Sequence, residues 1–110
     1  MDGEELVFKI KADFFQSLAH PIRLAIIEHL KKGERSVGQI AQELALEQSS
    51  LSKHLAVLRL AGILKSRQEK VSVYYSVRND SIFQVLRPVA AIIRETLQEG
   101  QKALSQLGKD

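Results

Sequence analysis

The sequence predicts a mainly α-helical fold with one small β-hairpin, set between the fourth and the fifth of five helices. Three observations carry this. Apolar residues recur at helical spacing over most of the chain, strict alternation replaces that spacing over residues 71–77, and Pro, Gly or a capping residue separates the periodic segments. The chain of 110 residues is 45% hydrophobic and 26% charged, enough for one real core, and residues 1–110 read as a single domain.

Val7, Ile10, Phe14 and Leu18 share a stripe that Phe15 widens, which predicts a first helix over residues 5–18. Pro21 suits the first position of a helix, where its missing N–H costs nothing, and Gly33 suits the stop. A second helix is therefore expected from Pro21 to Lys32. Its apolar residues, Ile22, Leu24, Ala25, Ile26, Ile27 and Leu30, go most of the way round, so it is expected centrally in the core. Ser36 followed by Gln39 is a capping-box pattern, and Val37, Ile40, Ala41 and Leu44 give a short third helix one apolar face, ending near Ala45-Leu46.

The fourth helix, residues 48–61, buries Leu51, Leu55 and Leu58, turns Ser49, Ser52, Lys53, Ala56 and Arg59 outward, and stops at Gly62. Ile63–Gln68 and Val71–Val77 then form a two-stranded hairpin, with Val71, Val73, Tyr75 and Val77 on its inner face. Asn79-Asp80 are a capping pair for the fifth helix, whose apolar positions are Ile82, Leu86, Val89, Ile93 and Leu97, continuing to Leu104 and Leu107. Pro88 is expected to kink that helix or to split it.

Composition narrows the function classes. The absence of cysteine removes disulfides, thiolate metal sites and cysteine nucleophiles. No apolar run is long enough to span a membrane and the acidic start is unlike a signal peptide, so a cytoplasmic protein without membrane partners is expected. No Gly-rich phosphate loop, paired carboxylates in an apolar setting or nucleophile–base arrangement is legible, so neither an enzyme nor a cofactor is expected. The net charge of +3 is uneven: residues 49–78 hold six Lys or Arg against one acid, residues 1–48 hold six against eight, and residues 79–110 hold four against four. Confinement of the cationic excess to one stretch points to a polyanionic partner such as nucleic acid.

Two short helices joined by a tight turn and followed at once by a hairpin have the order of a winged helix-turn-helix. A major groove admits one helix, which must present small polar and cationic side chains on one face while the other face is clamped. Gln48, Ser49, Ser50, Ser52, Lys53 and Arg59 are the candidate DNA-binding residues of the reading helix. His54 lies among them, either touching DNA or packing inside the domain. Arg67 and Lys70, at or beside the hairpin tip, are the candidate phosphate contacts of the wing. His20 reads as structural. His20 and His29, nine residues apart, would face opposite sides of a helix, which disfavours a shared metal site.

The stretches Leu18-Ala19-His20-Pro21-Ile22-Arg23-Leu24, Gln48-Ser49-Ser50-Leu51-Ser52-Lys53-His54-Leu55, Ala61-Gly62-Ile63-Leu64 and Val73-Tyr74-Tyr75-Ser76-Val77 together resemble the ArsR/SmtB repressors. The resemblance spans residues 18–77. It implies a homodimer built largely on the terminal helices, an inverted-repeat operator, and release by an inducer, here of unspecified identity. The alternative is a winged-helix protein-interaction or antirepressor module without its own operator. Three departures stand out. Ala45 occupies a turn where many members carry Gly or Asn, Gln68-Glu69-Lys70 replace a glycine turn at the wing, and the residues Ala41-Gln42-Glu43-Leu44-Ala45 and the last helix lack the family's usual metal ligands. No metal site is assigned, and a thiolate-metal sensor is ruled out for lack of thiolates.

Overall fold

The computed structural model describes residues 2–108 and contains five α-helices and three short strands. In chain order these are α1 (Gly3–Leu18), α2 (Pro21–His29) closed by a 3-10 turn (Leu30–Lys32), β1 (Arg35–Ser36), α3 (Val37–Leu44), α4 (Gln48–Leu60), β2 (Leu64–Glu69), β3 (Ser72–Val77) and α5 (Ser81–Leu107). They fall into two compact units, one ending at Asn79 and the other beginning at Asp80.

The helix starts follow local chemistry. Asp2 accepts the Glu5 N–H at 2.8 Å and caps α1. Pro21 opens α2, and at Ser36 the capping box is complete, its hydroxyl accepting from Gln39 N at 3.1 Å while Gln39 Oε1 accepts from Ser36 N at 2.8 Å. The core of the first unit is aliphatic. Leu18, Ile26, Ile27, Leu30, Ile40, Leu51, Leu55, Leu58, Ile63 and Leu64 are buried, each of the largest stabilising the fold by about 1.5–3 kcal/mol.

Several expectations are corrected. Leu24 is 42% exposed, so α2 has an outer side despite its composition. Val71 was expected inward on the hairpin but is 97% exposed, because Glu69 pairs with Ser72 and leaves Lys70-Val71 as the two-residue turn. The sheet has three strands rather than two, in the order β1-β3-β2, with Arg35 opposite Tyr75 and Ser36 opposite Tyr74. Two residues carry no periodicity, so β1 has no sequence signature. Its pairing makes β3 central, and β3 is half-buried at all six positions instead of alternating.

In the second unit, α5 runs unbroken for 27 residues through Pro88, which removes one backbone donor without splitting the helix. Asp80 stands at its N-cap with helical dihedrals and no side-chain capping bond. Val85, Val89, Ile92, Ile93, Leu97, Leu104 and Leu107 are exposed along one broad stripe. A similar surplus lies on α1, where Leu6, Val7, Phe8, Ile10 and Phe15 are exposed.

Candidate nucleic-acid interface

The turn between α3 and α4 sets the angle of the reading helix. After Leu44 the chain passes through Ala45 in the left-handed region, at φ 54° and ψ 48°. Leu46 N donates to Ala41 O at 2.9 Å and Ala45 N to Gln42 O at 3.3 Å, the paired bonds of a Schellman ending. The end of α4 repeats this pattern with Ile63 N to Leu58 O and Gly62 N to Arg59 O, both at 3.0 Å, and here glycine takes the positive φ, 78°. One motif thus ends both helices, once with the residue suited to it and once without.

On α4, Leu51, Leu55 and Leu58 face the core. Gln48, Ser49, Ser50, Ser52, Lys53 and Arg59 are all exposed, and among the described residues none of their side chains is engaged in a hydrogen bond or ion pair. The outward line runs Ser49, Lys53, Ala56, Leu60 at i, i+4, i+7 and i+11. Leu60 is 80% exposed and was not singled out from sequence, although this spacing carries it to the same side as Lys53.

The structure draws His54 inward. Its Nδ1 accepts from Arg23 Nε at 3.2 Å, and its ring lies 4.3 Å from that of His20, centroid to centroid. His20 in turn caps α2, its Nδ1 accepting from Ile22 N at 3.0 Å, while Arg23 also donates to Ser17 O at 3.2 Å. Of the two readings open for His54, packing is the one this geometry favours. Both imidazoles are acceptors at Nδ1. Burial, then the neighbouring His20 and Arg23, hold the His54 pKa below its usual 6.5. Arg23 thereby tethers α4 to the α1–α2 junction, and nothing in its spacing pairs it with a residue 31 positions away.

At the wing, Lys70 is exposed at the turn with φ 57°, beside the protruding Val71. Arg67 lies further down β2, opposite Tyr74, with its guanidinium carbon 4.6 Å from that ring's centre. Its nitrogens are engaged: Nη2 donates to Glu34 Oε1 at 2.7 Å, Nε to Glu34 Oε2 at 2.9 Å, and Nη1 to Glu69 Oε2 at 2.7 Å. Glu34 is held below the usual carboxylate range, chiefly by the bond from Arg67, and the pKa of Arg67 is raised further. Sequence counting placed Glu34 outside the cationic stretch, whereas the sheet brings it against Arg67. Among the described residues, no three His, Asp or Glu side chains are grouped to hold a metal ion.

A family model described as a helix-turn-helix domain matches residues 18–67. The HTH-type transcriptional regulator Rv0081 of Mycobacterium tuberculosis is 36% identical over 108 residues, covering 97% of this chain and 94% of that one. Its crystal structure superposes with a TM-score of 0.75 over 84% of this chain and 94% of that chain. The biofilm growth-associated repressor of Agrobacterium fabrum is 37% identical over 81 residues, 74% of this chain and 69% of that one. The solution structure of a homodimeric winged helix-turn-helix DNA-binding domain from Mycobacterium bovis, a possible ArsR-family regulator, gives a TM-score of 0.77 at 25% identity, covering 90% of this chain and 92% of that one.

Proposed function

Since this chain belongs to the ArsR/SmtB family of winged helix-turn-helix transcriptional regulators, we propose that it is a homodimeric repressor that reads an inverted-repeat operator through α4. The observation that carries this is the two-sided character of α4. One side is locked by three buried leucines and the Arg23–His54 bond, and the other presents Ser49, Ser52, Lys53 and Arg59 free to bond elsewhere. Short serines let the backbone approach the groove floor, and Lys53 and Arg59 are long enough to reach guanine edges or flanking phosphates. Gln48, Ser49 and Ser50 lie in the first turn, where unpaired N–H groups and the positive end of the helix dipole favour phosphate. Lys70, at the hairpin tip, reaches the next phosphate strand.

The apolar stripes on α1 and on α5 supply the dimer contact, and the homodimeric relative supports that assignment. Two reading helices on one face of the duplex require half-sites spaced by about 10 bp or a multiple of it. If an inducer acts on this protein, it is a small organic molecule rather than a thiophilic metal, a metalloid or a thiol oxidant, because no thiolate exists to hold or react with the latter.

The test is retardation of a labelled duplex from the gene's own upstream region. Log K is expected to fall with log salt by about 0.9 per phosphate neutralised. The Lys53→Ala/Arg59→Ala double variant should lose about 1–3 kcal/mol for each base-edge pair removed. Full affinity in that variant would refute α4 as the reading helix, and the absence of any duplex binding would favour the protein-interaction module instead.

A further inference from the structure

We propose that Glu34 competes with DNA phosphate for Arg67, so that the wing arginine is held in reserve by a carboxylate of the same chain. The proposal rests on the reading of the hairpin as a phosphate-contacting wing and names what limits that contact.

The geometry is that of a phosphate site already filled. A guanidinium recognises phosphate and carboxylate with the same planar fork of donors, and Glu34 occupies that fork through both oxygens, at 2.7–3.1 Å. Glu69 takes the remaining Nη at 2.7 Å, and the Tyr74 ring closes one face. Two carboxylates on one cation leave the cluster with a charge of −1 where a cationic surface is needed. Glu34 is not brought there by its neighbours in sequence: it precedes β1 and reaches across the central strand β3 to β2, 33 residues away. The side chains of Arg67 and Glu34 keep 51% and 33% exposure, so the pair is accessible to an incoming phosphate.

Structural pinning of β1 is the rival account of the same contacts. An exposed pair contributes little to stability. Such a pair nevertheless leaves the cation free only roughly a sixth to two-fifths of the time, which lowers the apparent affinity for phosphate about two- to sixfold.

Wild type, Glu34→Gln, Arg67→Ala and the double variant are compared by fluorescence anisotropy on a short labelled duplex of random sequence and on the upstream duplex, at neutral pH. Glu34→Gln is expected to bind both duplexes about two- to sixfold more tightly, by the same factor on each, because phosphate carries no sequence. Arg67→Ala should weaken wild type only slightly and should erase the whole gain in the Glu34→Gln background. Glu69→Gln should give a smaller gain in the same direction, and melting temperatures check that each variant is folded. Unchanged or weaker binding by folded Glu34→Gln overturns the proposal. A gain that survives Arg67→Ala also overturns it, since Glu34 would then act by simple repulsion. Failure of the wild type to bind either duplex defeats the underlying DNA-binding reading itself, and is seen before any variant is made.

Discussion

Ala45→Gly should stabilise this protein, against the usual direction of Ala-to-Gly changes. Ala45 is held at φ 54° and ψ 48°, where an L-residue's Cβ crowds the following carbonyl at a cost of about 1–2 kcal/mol. Glycine removes that crowding but returns about 0.5–1 kcal/mol through the greater freedom of the unfolded chain. Ala45 is exposed, so its methyl group forfeits no burial, and the two closing bonds at 2.9 and 3.3 Å are backbone bonds that glycine keeps. The net is a gain of about 0.5–1 kcal/mol. With an unfolding entropy of about 2.1 cal/mol/K per residue, this raises Tm by about 2–4 °C. The assay is calorimetry at a fixed protein concentration, since dimerisation makes Tm concentration-dependent, with Ala45→Asn expected between Ala and Gly and Ala45→Val below the wild type. DNA affinity should be unchanged, because the turn geometry is the same. A lower or unchanged Tm for Ala45→Gly would show that the left-handed conformation at Ala45 costs no more than the roughly 0.5–1 kcal/mol that glycine returns, and the strain argument would fail.

Acidification should destabilise the fold through His54. Its folded pKa lies below 6.5, so between that value and 6.5 the unfolded chain binds the proton that the folded chain refuses. Stability is therefore full above 6.5 and falls as the pH drops through this window; Tm measured from about pH 7.5 to about pH 5 should show the loss, and a His54→Gln variant with an equally steep profile would assign it elsewhere. Ile93→Asp/Leu97→Asp, both at exposed positions of the α5 stripe, should yield a monomer by sedimentation and lose operator binding, whereas a dimer that persists would move the interface off α5. Arsenite, cadmium and peroxide should leave the protein–DNA complex intact in an anisotropy titration, because soft ions and thiol oxidants need a thiol and this chain has no cysteine. Dissociation at stoichiometric arsenite would contradict that.

Residue order alone settles what depends on neighbours a few positions apart. A helix closes its bonds within four residues, so the capping box at Ser36, Pro21 at the start of α2, Gly62 after α4 and the buried triad Leu51, Leu55 and Leu58 were all legible. So were the outward serines, Lys53 and Arg59, since helical spacing alone decides which side of α4 they share. The tertiary structure decided whatever depends on residues distant in the chain. Arg35 and Ser36 form a strand only because β3 lies beside them, and Val71 leaves the hairpin's inner face because the register places it in the turn. His54 gains an internal partner that its position in the reading helix did not announce, because Arg23 and His20 come from another helix junction. Arg67, a free cation by local count, is matched by Glu34 from across the sheet. Periodicity sorts side chains into faces, but which charge meets which across strands is a matter of long-range pairing, and no local pattern encodes it.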